Sequence, residues 1–398
     1  MSKNIGTMSI GVKCPIIKKG DDIEKIVIDS ILKIEKEDNI SLKNNDIVAI
    51  TESVVARAQG NYATIDDIAS DIRTKFKNSD EIAVIFPIYS RNRFSIILKG
   101  IAKACRKIIL MLSYPSDEVG NSLLTYDDLD GKNIDPSSEL TLEQYRRLFG
   151  YKKHEFTNID YIEFYKKIIE DENCNVEIIF SNNPTKILSF THNILTCDIH
   201  SRQRTKKILK QNQPDAIVFG LDEILNASVN NSGFNKKYGL LGSNKASETT
   251  IKLFPRNSDE LVNNIQQKLL QITGKHVEVM IYGDGAFKDP QGKIWELADP
   301  VVSPFYTSGL NGTPNELKLK YLADNNFKDL YGDDLNKAVF ETIKNKNKIQ
   351  KDNMISQGTT PRRLTDLLGS LCDLTSGSGD KGTPIVLIKG YFDNFAST

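Results

Sequence analysis

The feature that most constrains this chain is a strand–helix–strand order between residues 82 and 112. An apolar run, Ile82–Phe86, is followed by a helix-length apolar segment, Phe94–Ala104, and then by a second run, Ile108–Leu112. Runs this short and rich in β-branched residues read as buried strands. Two strands joined through a helix normally lie parallel, with a right-handed crossover. The expected class is therefore α/β. The same alternation recurs elsewhere. Ile23, Ile26, Val27, Ile31 and Ile34 share one helical face after the turn Gly20-Asp21-Asp22, and Ile47–Ile50 is a short buried strand. Helices are expected around Leu140–Leu148, Tyr161–Ile169 and Arg202–Leu209, and strands at Val176–Phe180, Ile194–Ile199 and Ala216–Phe219. Leu261, Ile265, Leu269 and Ile272 make a helix that Gly274 stops before the strand Val277–Ile281. Leu364, Leu367, Leu368 and Leu371 make another, ended by Gly377 before the strand Ile385–Ile388. Residues 114–136, rich in Ser, Asp, Gly and Pro, read as a surface loop.

Charge excludes some functions. The 52 basic and 52 acidic side chains cancel, which argues against nucleic acid as the main partner. No apolar run approaches the ~20 residues that cross a bilayer, so no membrane role is expected. The N-terminus, Met1-Ser-Lys-Asn-Ile5, carries no secretory pattern. The five cysteines (14, 105, 174, 197 and 372) are scattered and form no CxxC pair, which fits a reduced cytoplasm. His192, Cys197 and His200, with Cys174 upstream, match no common zinc spacing, and Cys197 reads as a buried cysteine.

Three segments could carry chemistry. Asp284 lies just past an apolar strand, between Gly283 and Gly285. Ligands of α/β sheets gather at the carboxyl ends of strands, and a carboxylate there suits Mg2+ or Mn2+. The plainer reading is a turn aspartate bonded to its own backbone. The polar stretch Asn226-Ala-Ser-Val-Asn230-Asn231-Ser232-Gly233 reads on its own as a loop whose Asn side chains cap backbone groups. Gly377-Ser378-Gly379-Asp380-Lys381-Gly382 lies between helix and strand, and its backbone N–H groups could form an anion nest. The order of elements and the missing Lys-Ser/Thr pair separate it from a Walker loop.

Together with Gly11–Asp22 and Asp46–Gly60, these segments resemble the coenzyme F420-0:L-glutamate ligase family, which joins glutamate to a phosphorylated cofactor precursor using GTP. The resemblance implies a mixed-sheet core whose two ends come together, and a compact homodimer. It implies that Cys14, Pro15, Ile16 and Ile17 contact GTP, with Glu52, Ser53 and Arg57 after the second strand. Gly233 and the loop Ser376, Gly377, Ser378, Gly379, Asp380, Lys381, Gly382, Thr383 would complete the nucleotide site. The implied metal positions are Asn230, Asp284, Gly285 and Ser378. Only Asp284 offers an anion there, where the family has Asp, Asp-Thr and Glu or Gln. Lys288 keeps a charge near the family's arginines. With Asp284 and Arg57 it makes the implied catalytic set. Asp222, Glu223, Glu296 and Asp299 lie close in sequence and could supply further charge.

Three regions are expected: 1–86 as the first part of the ligase-like core, 87–213 as an inserted α/β region, and 214–398 as the remainder. The functional expectation is a GTP- and divalent-metal-dependent amide ligase. It would join glutamate or another amino acid to a small-molecule acid through an acyl phosphate. A non-catalytic nucleotide-binding protein and a metal-dependent hydrolase are the alternatives on the same scaffold.

Overall fold

The computed structural model describes residues 5–155, 157–284, 299–346, 355–356, 362–376 and 379–397. Helices and three sheets alternate, as the α/β expectation requires. Among these residues no helix is long and apolar enough to cross a membrane.

The two ends of the chain meet in one five-stranded sheet. Its order is Met8–Val12, Ile385–Lys389, Ile47–Thr51, Glu278–Tyr282, Phe305–Tyr306. Met8–Val12 runs antiparallel to Ile385–Lys389, which runs antiparallel to Ile47–Thr51, which is parallel to Glu278–Tyr282. The three strands Met8–Val12, Ile47–Thr51 and Glu278–Tyr282 therefore point the same way. Their carboxyl ends share one edge with the amino end of Ile385–Lys389. The central strands are buried on both faces, which explains their unbroken apolar runs. Helices Ile23–Glu37 and Asp259–Thr273 cover one face through Val27, Ile31, Ile265 and Leu269. Helix Leu364–Thr375 covers the other through Leu368 and Cys372. Lys389 and Asp46, both buried, pair at 2.7 Å across the sheet.

The strand–helix–strand unit of the sequence starts a six-stranded sheet. Its order is Leu140–Thr141, Asn175–Phe180, Lys107–Leu112, Glu81–Ile85, Asn193–Thr196, Ile217–Gly220. All neighbours are parallel except the edge pair Leu140–Thr141 with Asn175–Phe180. The chain starts at Glu81–Ile85, builds outward on one side, and then returns to build on the other. The order reverses between Glu81–Ile85 and Asn193–Thr196. In open α/β sheets such a switch point opens a crevice at the carboxyl ends of the strands. The loop 86–93 leaves from there.

A small third sheet, Asn244–Lys245, Thr250–Lys252 and Tyr62–Thr64, was not expected. Three longer helices also lie outside the elements expected from sequence: Glu52–Ala58, Gly332–Lys344, and Ile65–Lys75, which Thr64 and Asp67 cap reciprocally. Residues 114–136 differ from a plain surface loop. Tyr114, Val119 and Leu124 are buried in the main core. Asp117 is buried too and accepts hydrogen bonds from the backbone N–H groups of Tyr89, Val119 and Asn121. The polar composition hid these anchors. The strand expected over Ile194–Ile199 ends at Thr196, and Cys197 is buried just beyond it.

Candidate active site

A cleft of about 620 Å³ opens where the four strand ends of the five-stranded sheet share an edge. It is lined by Cys14, Pro15, Ile16 and Ile17 after the first strand, and by Glu52, Ser53 and Arg57 after the second. Gly283 and Asp284 follow the third, and Ser376, Gly379 and Gly382 precede the fourth. Topology alone brings these segments together. The backbone ties them as well: Cys14 N–H donates to the Gly382 carbonyl at 3.3 Å, and Thr51 N–H to the Pro384 carbonyl at 3.0 Å. Gly379 and Gly382 have φ of 74° and 64°, a left-handed backbone that glycine adopts without strain.

The cleft's chemistry is a set of carboxylates and cations. Asp284 receives one arm of the Arg93 guanidinium. The other arm donates to Asp299 Oδ1 at 2.7 Å, and Asp299 Oδ2 accepts the Asp284 backbone N–H at 2.6 Å. Gly283 makes this approach feasible, because a Cβ at that position would overlap Asp299 Oδ2. Burial, reinforced by Asp299, pushes the Asp284 carboxyl up to about 7, while Arg93 works against the shift. Burial opposes the charge on Arg93, but Asp299 and Asp284 outweigh it and hold the guanidinium above its ordinary value. Lys252 Nζ reaches both oxygens of Glu52. The ammonium compensates the Glu52 charge at the cleft. Burial nonetheless raises the Glu52 carboxyl above its usual range, with Lys252 opposing. Asp373, in the last turn of helix Leu364–Thr375, adds a further carboxylate to the lining. Arg57 makes no salt bridge with a described residue. Ile16 is 83% exposed in the same cleft.

The structure brings most of the expected residues together, but not all. Asp380, Lys381 and Thr383 belong to the loop without lining the cleft. Gly285, Lys288, Gly377 and Ser378 lie outside the described residues. Asn230 and Gly233 are not brought to the lining. Asn230 and Asn231 take left-handed φ values of 50° and 61° in a turn, a conformation asparagine tolerates. The turn packs onto the third sheet. Gly233 N–H donates to the Tyr62 carbonyl at 2.6 Å, and a Cβ on Gly233 would stand 2.6 Å from Tyr62 N. Of the nearby acids, Asp222 pairs with Arg202 and Glu223 with Lys206, Asp299 belongs to the cleft's charge cluster, and Glu296 lies outside the described residues. Among the described residues, no group of three or more His, Cys, Asp or Glu side chains stands ready to hold an ion.

A family model described as F420-0:gamma-glutamyl ligase matches residues 11–390. The chain belongs to this family. The match takes in residues 87–213, so the span extends well beyond the two ends that carry the sequence motifs. No curated protein matches the chain. Membership in the gamma-glutamyl ligase family makes the chain a ligase that forms C–N bonds and acts on small molecules. Asp373 is a further lining residue of this ligase's cleft, and Arg93, Asp299 and Lys252 stand behind the lining, bonded to Asp284 and Glu52. Lys252 had a signal in sequence, a lysine inside the apolar run Ile251–Phe254. Asp373 had one too, because an acidic side chain in a helix's last turn runs against the helix dipole.

Proposed function

We propose that the protein joins glutamate to a small-molecule carboxylic acid through an acyl phosphate, with GTP as phosphoryl donor and Mg2+ or Mn2+ as companion ion. The observation that carries this reading is the meeting of four sequence-distant segments in one cleft that holds both an exposed apolar surface and the Arg57 guanidinium, which no described carboxylate pairs. Ile16 and Pro15 offer a face for a nucleobase. Arg57 and the backbone N–H groups of the loop through Gly379 and Gly382 suit phosphates. The donor set also fits a divalent ion. Asp284 and Asp373 both place a carboxylate on the cleft lining, and burial, with Asp299 adding to it, raises the Asp284 carboxyl. Asp284 and Asp373 would hold the ion, with phosphate oxygens completing its shell. The ion would neutralise charge on the transferred phosphoryl group.

The chemistry balances without a redox partner. A carboxylate oxygen of the acid attacks the terminal phosphorus of GTP and GDP leaves. The glutamate amine, once it has lost a proton, attacks the acyl carbon, the amide bond forms and inorganic phosphate leaves. The protein's part is alignment and charge neutralisation. The acid is F420-0 in the first instance, by family membership. A soluble, cytoplasmic homodimer belongs to the same reading. A nucleotide-binding protein without turnover is the second reading. The observation on its side is the lack, among the described residues, of a ready-made ion cage.

Equilibrium binding of GTP with and without Mn2+ separates these readings. Binding that needs Mn2+ and Asp284, followed by phosphate release only when glutamate and the acid are both present, supports the ligase. Phosphate release without glutamate supports a hydrolase. GTP binding indifferent to metal supports the binding protein.

A further inference from the structure

Arg93 reaches the cleft from outside the five-stranded core. It belongs to the loop 86–93 at the switch point of the six-stranded sheet, and its partners Asp284 and Asp299 lie about the edge of the other sheet. We propose that Arg93 is a positioning residue that acts as an internal counter-ion. It holds Asp284 while the cleft is empty, gives up Asp284 to a divalent cation, and stays bound to Asp299. The proposal rests on the reading of Asp284 as an ion ligand.

The geometry favours this exchange. The two guanidinium arms hold different carboxylates, so one arm can open while the other stays closed. The three side chains differ in exposure: Asp284 is 31% exposed, Arg93 16% and Asp299 1%. An ion entering from solvent meets Asp284 first, and the Asp299 contact stays sealed. Asp299 is also held from the other side by the Asp284 backbone N–H, so it cannot follow the ion outward. The Arg93 backbone is fixed as well. Its N–H donates to Ser90 Oγ at 3.0 Å, and the Ser90 N–H donates to the Tyr165 hydroxyl at 2.8 Å. The Tyr165 hydroxyl in turn donates to the Ile88 carbonyl at 2.7 Å. Only the side chain is free to swing. One arm, released from Asp284 at the cleft wall, is then available to an oxyanion of the substrate.

A competing cation makes a prediction of unusual sign. Removing a side chain that merely supports the fold weakens ligand binding. Removing a counter-ion that competes for Asp284 strengthens the binding of metal alone. Mn2+ titration of the full chain, followed by the loss of the free-ion electron paramagnetic resonance signal, reads this directly. Arg93→Gln is expected to bind Mn2+ about tenfold tighter than the parent without nucleotide, because an unpaired carboxylate favours a new cation. The same variant is expected to bind GTP with Mn2+ no tighter than the parent. Arg91→Gln, an exposed arginine of the same loop, is expected to match the parent. If Arg93→Gln does not accumulate as folded protein, Arg93→Lys carries the test, since a single ammonium cannot grip both carboxylates, and it too should bind Mn2+ tighter than the parent. Mn2+ binding to the parent with GTP, but no tighter binding to either Arg93 variant, overturns the exchange and leaves the ion site standing. Mn2+ binding to none of these proteins, with or without GTP, overturns both.

Discussion

Lys252 Nζ lies 2.9 and 3.1 Å from the two carboxylate oxygens of Glu52, and both side chains are buried. The pair joins the third sheet to the helix that carries Ser53 and Arg57 into the cleft. Breaking a buried ion pair from one side strands the remaining charge. Lys252→Met should therefore lower stability by about 3–5 kcal/mol in urea unfolding. The double variant Lys252→Met/Glu52→Gln should recover much of that loss. A double variant no more stable than the single would mean that lysine's packing, and not its charge, matters at this position.

Gly283 should tolerate no side chain. Alanine there would push Asp299 off the Asp284 backbone N–H and loosen the grip of Arg93. Gly283→Ala is expected to cut turnover by about a hundredfold, as misplacement by about an ångström does elsewhere. Circular dichroism should still report a folded protein. Turnover within a factor of about two of the parent would show that Asp299 has no part in placing Asp284.

Carboxyls raised by burial, Asp284 at the cleft and Asp198 away from it, set a pH dependence of stability. Asp284 is pushed up to about 7 and Asp198, buried beside Thr205 and Ser201, up to about 6. A carboxyl raised in the folded state binds its proton more tightly there than in the unfolded chain. Its stabilising contribution is complete below the ordinary carboxylate range of about 4 and is lost as pH rises through 6 to 7. The metal-free protein should accordingly melt at a lower temperature at about pH 8 than at about pH 5. Asp284→Asn removes one titrating group, so its melting temperature should fall less across the same interval. An equal fall in both proteins would count against the raised Asp284 carboxyl.

The motif resemblance implies a metal role for Asn230, yet its turn packs on the third sheet through Gly233 and Tyr62, and Asn230 is not in the cleft lining. Asn230→Asp should leave Mn2+-dependent GTP binding within about twofold of the parent, because added charge at a distance is screened by solvent. Calorimetry on the two proteins checks this. Clearly tighter binding in the variant would bring the turn back into the ion site.

Much of the fold was legible because its central strands are buried on both faces. Ile47–Thr51, Lys107–Leu112 and Ile385–Lys389 read as apolar runs for that reason. The edge strands Tyr62–Thr64 and Phe305–Tyr306 have only three and two residues, and their hydrogen bonds come from partners distant in sequence. No local pattern announces them. Helix Ile65–Lys75 did carry signals, in the spacing of Ile65, Ile68 and Ile72 and in its Thr64–Asp67 cap. Within the cleft, the segments around Cys14, Arg57, Asp284 and Gly382 came from motif resemblance, and topology gathers them. Arg93 did not, because it acquires its meaning from a carboxylate 191 positions away. Lys252 stood out only as a lysine in an apolar run, and its role follows from Glu52, 200 positions away.

The most direct test of the central claim follows one oxygen atom. The acid substrate, F420-0 in the first instance, is prepared with heavy oxygen in its carboxylate and incubated with the protein, GTP, Mn2+ and glutamate. If an acyl phosphate forms in the cleft, one labelled oxygen leaves with phosphorus. The released inorganic phosphate should then carry the label in step with formation of the glutamyl amide, and Asp284→Asn should abolish both. Amide formation with unlabelled phosphate, or labelled phosphate undiminished in Asp284→Asn, would contradict the account.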